Sequence, residues 1–265
     1  MITVRNGMET MPAISLADLQ REAAFLTRQD RKYLLPLLGL EGLLTGLEGN
    51  TRVLEIDGQR CFRYKTPYFD DHDLTAYFRA LRRRPQRFKV RTRLYLESGL
   101  RQLEVKLRDG RGRTVKHRIA PETTRLEHLE DGDRAWLRSF SPVAPYAAHL
   151  RHCLTTCYRR STLVLPNGEG RVTIDHDLVF ALPNGQALAL PAIAIVETKG
   201  AGKATAVDHL LWRHGYRPLS LSKFTVGLGL LRPDLPANRL HRLRARLQAV
   251  AEMPHHLTSS AYEER

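Results

Sequence analysis

Six short stretches of this chain carry Lys, Arg or Glu at every second residue, in places where turn signals mark out strands. They are Lys89-Val90-Arg91-Thr92-Arg93, Glu104-Val105-Lys106, Lys116-His117-Arg118, Tyr158-Arg159-Arg160, Arg171-Val172-Thr173-Ile174-Asp175 and Glu197-Thr198-Lys199. Successive side chains of a strand face opposite sides, so each stretch puts its charges on one face and mostly apolar residues or Thr on the other. The pattern therefore restricts the chain to a sheet with one ionic face. If such a sheet closes into a barrel whose outer face packs against helices, the ionic face becomes a lumen. A lumen lined with cations calls for a polyanion.

The charge balance agrees: 42 Lys and Arg stand against 28 Asp and Glu, a formal net charge of +14, which predicts an anionic partner without naming it. Arg dominates the basic set, and its planar fork grips phosphate oxygens in pairs. Nucleic acid is a poor fit, because aromatics make up only 7% of the chain and no duplex-reading motif is present. Nor is there a Gly-x-x-x-x-Gly-Lys loop, so ATP, if used, is not held by a P-loop.

Cys61, Cys153 and Cys157 are too few and too irregular for a disulfide framework. Cys153-x-x-x-Cys157 lacks a second pair to complete a zinc site, so the three read as buried or idle thiols. The histidines include no His-x-x-x-His pair, and His117, beside Lys116, is expected on the outer face of its strand. No basic leader precedes an apolar run, and no stretch of about 18 apolar residues occurs. These features predict a soluble, cytoplasmic protein with no membrane segment.

The 265 residues divide into a flexible leader over 1–13, a single domain over 14–250 and a flexible tail over 251–265. Ser15 followed by Asp18 marks a helix start, and the Leu-rich segment to Leu47 a second helix. Strands are expected near 28–35, 52–56, 61–69, 87–97, 101–108, 113–119, 154–165, 170–180 and 192–199. Their punctuation is Asp57-Gly58, Ser98-Gly99, Asp109-Gly110, Pro166-Asn167-Gly168 and Pro183-Asn184-Gly185. Helices are expected around 74–81 and 205–214, and a basic one near Asn238 to Val250, with Arg239, Arg242, Arg244 and Arg246 beside Leu240, Leu243 and Leu247. The sum is an α+β fold: a closed tunnel or barrel of about eight antiparallel strands with peripheral helices.

In this order, Asp30-Arg31-Lys32-Tyr33, Tyr68-Phe69-Asp70, Lys89 to Arg93, Glu104-Val105-Lys106, Tyr158-Arg159-Arg160, Arg171 to Asp175, Glu197-Thr198-Lys199 and Ser222-Lys223-Phe224 resemble the VTC domain. That domain is the polyphosphate-polymerase branch of the CYTH-like triphosphate tunnel metalloenzymes. The resemblance implies a tunnel in which Lys32, Arg91, Arg93, Lys106, Lys116, Arg160, Arg171, Lys199 and Lys223 bind phosphates. Lys32, Arg91, Arg93 and Lys199 would be catalytic, and Glu197, with Asp30 and Glu104, would hold Mn²⁺ or Mg²⁺. One departure stands out: the superfamily's opening Glu-x-Glu-x-Lys is here Arg28-x-Asp30-x-Lys32, which thins the metal site.

The function so implied is metal-dependent transfer of the terminal phosphate of ATP onto a polyphosphate chain. A non-catalytic binder of polyphosphate or a phosphorylated ligand, and a triphosphate hydrolase of the same fold, are the alternatives.

Overall fold

The computed structural model describes residues 7–23, 29–47, 50–108, 114–200 and 202–236, together with the single positions 241, 245 and 247. Its centre is an eleven-stranded sheet. The strands are β1 (Ala13–Ile14), β2 (Gln29–Pro36), β3 (Arg52–Leu54), β4 (Phe62–Asp70), β5 (Arg87–Tyr95), β6 (Arg101–Arg108), β7 (Thr114–Ile119), β8 (Arg151–Val164), β9 (Gly170–Ala181), β10 (Ala187–Leu190) and β11 (Ile193–Gly200). Eight of them form one path, β2-β11-β9-β8-β4-β5-β6-β7, and every neighbour along it is antiparallel. β1, β3 and β10 flank it, and β1 with β3 makes a short parallel pair.

Turn chemistry sets the register. Gly99 takes a φ of 66° between β5 and β6, and Asn167 with Gly168 takes the left-handed region between β8 and β9. At Gly170, where φ is 145°, a Cβ would lie 2.1 Å from the carbonyl oxygen of Lys199. Only glycine lets β9 approach β11 this closely.

Among the described residues, helices α1 (Leu16–Ala23), α2 (Leu38–Thr45), α3 (Thr75–Leu81), α4 (Asp131–Arg138), α5 (Ala206–Arg213) and α6 (Lys223–Leu231) pack around the sheet. α1 starts as expected, with Ser15 Oγ accepting from the Asp18 N–H at 3.2 Å. On the convex face, Tyr33, Leu35, Val172, Ile174, Ala194 and Val196 pack against Leu40 and Leu44 of α2 and Val207 and Leu211 of α5. Each buried Leu, Ile or Val among them contributes about 1.5–3 kcal/mol. Asp208 of α5 fastens this layer, accepting from Tyr33 at 2.6 Å, Thr198 at 2.7 Å and the Thr205 N–H at 2.7 Å.

The concave face has two parts. Leu34, Tyr68, Leu154, Leu178, Phe180 and Ile195 form an apolar end filled by Phe224, Leu228 and Leu231 of α6. The remainder is ionic.

Two expectations need correction. Among the described residues the sheet is not closed, because its path ends at β2 on one side and β7 on the other with no ladder between them. The physical reason lies at both edges. The lead-in to α6 occupies the free edge of β2, where the Leu219 N–H donates to the Lys32 carbonyl at 2.7 Å. β7, for its part, is exposed along nearly its whole length. The sheet curls instead, and Lys89 of β5 donates to Ser222 at the start of α6 at 2.7 Å, so a helix terminus stands between the facing strands.

The second correction concerns the expected leader. Met8 and Met11 are buried against the convex core. The Arg60 guanidinium donates to the carbonyls of Met8, Glu9 and Met11 at 2.5, 3.0 and 3.0 Å. Residues 1–6 and 251–265, the Asp109-Gly110 turn and most of the expected basic helix lie outside the described residues; of that helix, Leu247 is helical and buried. Among the described residues no helix is long and apolar enough to cross a membrane.

Candidate functional site

The strand register brings the expected phosphate ligands onto one face. Lys32 pairs with Glu197 and Asp30 with Lys199 across β2 and β11, and Lys199 pairs with Arg171 on β9. Arg160 is opposite Asp175, Arg91 opposite Glu104, and Lys89, Lys106 and Lys116 run in a row across β5, β6 and β7. Lys223 arrives from the first position of α6. Because alternation preserves parity, Arg93 shares the face of Arg91 while His117 turns outward, packing on Phe140 with ring centroids 4.8 Å apart.

Three carboxylates organise these cations. Glu104, 1% exposed, meets Arg91 Nη2 at 2.6 Å, Lys116 Nζ at 2.9 Å and Arg93 Nη1 at 3.9 Å. Asp175, fully buried, receives Arg160 in a two-pronged pair at 2.5 and 2.7 Å and is also contacted by Lys223. Glu197 meets Lys199 at 2.9 Å and Lys32 at 3.6 Å. Tyrosines complete the wall: Tyr64 and Tyr158 stack with centroids 5.2 Å apart, and Arg93 and Arg160 lie over the Tyr64 ring at 5.5 and 5.3 Å.

The crowding shows in the protonation equilibria. Burial alone would raise the carboxyl of Glu197, but Lys199, Lys32 and Arg160 hold it well below the usual range. Glu104 and Asp175 are likewise held down by their cations against the opposing effect of burial. Lysines of the same face shift the other way. Burial, then Lys106, Lys32 and Arg91, lower Lys89 to about 7. Burial and Arg160 lower Lys199 to about 8, against the pull of Glu197. Lys106, whose side chain still reaches solvent, is also depressed, first by lost hydration and then by Lys32. Such a face is short of anions and gains by receiving them.

The expected metal ligands Glu197, Asp30 and Glu104 are not brought together. Among the described residues no three His, Cys, Asp or Glu side chains are grouped to hold a metal ion. Glu104 has both oxygens engaged by cations, Oε2 by Arg91 and Oε1 by Lys116. Asp30 is exposed and faces Lys199 across the sheet. Both ion pairs of Glu197, by contrast, run through Oε1. The donor set does not fit a cation held by protein alone. It fits one that arrives with phosphate oxygens and water and takes a single carboxylate oxygen, as Mg²⁺ does in phosphoryl-transfer sites. Arg28 lies outside the described residues.

Lys89 was not among the residues assigned from sequence, although its even spacing from Arg91 and Arg93 places it on their face. Ser222 gave no signal beyond its place beside Lys223. Tyr68 and Tyr158 accept from the guanidinium groups of Arg91 and Arg93 at 3.2 and 3.4 Å. Surface hollows of about 620 Å³ beside Trp212 and about 670 Å³ beside Phe78 are lined by none of these cations.

Comparison with known proteins adds a family. The VTC domain profile matches residues 27–232. Among solved structures, the chain is similar to a candidate adenylyl cyclase from Hippeastrum with a dominant triphosphatase activity, at 14% identity and a TM-score of 0.47 over 80% of this chain and 99% of that one. It is similar to a Pyrococcus horikoshii protein at 10% identity and a TM-score of 0.45, over 78% and 99% of the two chains. A candidate adenylate cyclase from Vibrio parahaemolyticus matches at 14% identity and a TM-score of 0.38, over 71% and 81%. No curated protein matches.

Proposed function

This chain belongs to the VTC domain family, and on that premise we propose that it moves the terminal phosphate of ATP onto a polyphosphate chain lying along the curled basic face. The observation that carries this reading is the surplus of cations: Glu104 fixes three of them and Asp175 two, and Lys89 bonds a hydroxyl rather than a carboxylate. Phosphoryl transfer asks little covalent chemistry of a protein and depends on positioning and electrostatic stabilisation. In this reading Lys32, Arg91, Arg93 and Lys199 receive the equatorial oxygens of the moving phosphoryl group. Lys106, Lys116, Arg160, Arg171 and Lys223 hold the rest of the phosphate chain. Mn²⁺ or Mg²⁺, when bound, supplies charge neutralisation between phosphate oxygens, with Glu197 as the protein ligand.

A second reading, a binder without turnover, has its own support in the engagement of Glu104 and Asp175 by cations, which leaves Glu197 the main carboxylate for a metal. One experiment separates the readings: the purified chain is incubated with ATP and Mn²⁺ or Mg²⁺ and the products are resolved. Polyphosphate with ADP supports the transferase, and free phosphate with ADP supports hydrolysis. Neither product, together with a triphosphate-induced rise in melting temperature, supports the binder. No product and no thermal shift at low salt overturns the site.

A further inference from the structure

On the opposite face of the same strands, away from the phosphate ligands, Cys61, His176, Asp177 and Arg159 form a second chemical group. Cys61 immediately precedes β4, His176 and Asp177 lie on β9, and Arg159 of β8 is in register with His176. Cys61 Sγ lies 3.5 Å from His176 Nε2, and His176 Nδ1 lies 3.3 Å from Asp177 Oδ2. Arg159 Nε holds the same Asp177 oxygen at 3.2 Å. His176 is buried at 6% exposure, while Cys61 keeps partial access to solvent.

The backbone is bent to make this arrangement. Asp177 has a φ of 51°, inside a strand and without being glycine, where the β8–β9 register slips. That bulge turns the Asp177 carboxylate back onto the ring of its own neighbour. The contacts hold Nδ1 against the carboxylate and Nε2 against the sulfur, the order of nucleophile, base and orienting acid used to activate nucleophiles. Burial would depress the imidazole, but Asp177 and Cys61 raise it to about 9, as expected of a ring that stabilises charge between them.

We propose that Cys61 is a nucleophilic thiol that a hydroperoxide converts to a sulfenic acid, with His176 carrying the proton. Cys61 Sγ attacks one peroxide oxygen; the S–O bond forms as the O–O bond breaks. His176 Nε2 gives its proton to the departing oxygen, which leaves as water or an alcohol, and the proton lost by the thiol restores the ring. Sulfur loses two electrons and the peroxide gains them. The other cysteines lack this environment: burial pushes both thiols up, and Cys153 donates to the Tyr68 carbonyl.

The test uses the whole chain with limiting iodoacetamide at pH 7, and separately hydrogen peroxide followed by dimedone, with adducts located by peptide mass spectrometry. Cys61 is expected to be alkylated about tenfold or more faster than Cys153 and Cys157, and faster than in the denatured chain, and to carry the dimedone adduct. His176→Gln should slow Cys61 by about tenfold while leaving the rates at Cys153 and Cys157 unchanged. If that variant does not fold, Asp177→Asn, at a part-exposed position, should slow Cys61 in the same selective way. The proposal is overturned if folded Cys61 reacts no faster than in the denatured chain, if no dimedone adduct forms there, or if the folded variant leaves its rate unchanged.

Discussion

Lys89 offers the sharpest test of the basic face. In the empty cleft its ammonium is destabilised by burial and by Lys106, Lys32, Arg91 and Arg87, which brings it to about 7. A phosphate oxygen beside it favours the charged form, so binding above pH 7 takes up the proton that Lys89 lacks. If the bound side chain returns toward the ordinary lysine value, its contribution to the binding constant falls by about 50-fold between pH 7 and pH 9. Terminal phosphates titrate over the same range, so the comparison needs Lys89→Arg, whose guanidinium stays charged throughout. Calorimetric titration with triphosphate should show the wild-type-to-variant affinity ratio falling about 50-fold from pH 7 to pH 9, with nearly one extra proton taken up by the wild type at the upper end. A ratio constant to within about threefold over that range would refute the reasoning, because it would mean that Lys89 is charged in the empty protein or remote from the ligand.

Three further outcomes follow from the same geometry. Glu104→Gln leaves Arg91, Arg93 and Lys116 without their shared counter-charge, and loss of one partner from such a buried group costs about 3–5 kcal/mol, read by urea denaturation without phosphate; a loss below about 1 kcal/mol would show that the cations do not need it. Chelation should abolish turnover yet leave a triphosphate-induced thermal shift, since the cation surplus binds phosphate unaided; unchanged turnover after verified metal removal removes Glu197 from its proposed role. Polyphosphate should protect against thermal unfolding at moderate salt while duplex DNA fails to displace it, because the cations line a concave face; tighter binding of the duplex at equal charge would place the affinity on an exterior patch.

The ionic face was legible because strand parity is a strict rule. Once Arg91 is inside, Lys89 and Arg93 are inside too, and His117 is outside. The positions of the eight path strands along the chain and the helix start at Ser15 were legible for similarly local reasons. What sequence did not convey was the partnering. Nothing in Glu104-Val105-Lys106 says that Glu104 will be consumed by three cations, because two of them, Arg91 and Arg93, come from β5 and the third, Lys116, from β7. The sheet's failure to close was hidden for the same reason, since it depends on where Leu219 and Ser222 dock. The Cys61 group was not legible because Cys61 and His176 lie 115 positions apart and the group is completed by a bulge that spacing does not announce.

The interleaved carboxylates explain why a face built to bind anions also carries buried anions. Bare cations so close together would repel, and their long side chains would turn toward solvent in many rotamers. Each would then need to be ordered again by the ligand, at about 0.5–1.5 kcal/mol per immobilised side chain. A carboxylate on the neighbouring strand fixes the heads beforehand: Asp175 grips Arg160 by both prongs, and Glu104 holds Arg91 while Tyr68 accepts its remaining arm. Some net attraction is lost, yet the donors stand oriented before the phosphate arrives. Lys89, bonded to a hydroxyl and among the described residues to no carboxylate, keeps the unspent part of the attraction. The same division of labour accounts for the depressed lysines and the strongly acidic carboxyls on one surface. The carboxylates are internal struts, and the lysines whose charge is depressed by burial and by their neighbours, Lys89 first among them, are where an incoming phosphate chain makes its gain.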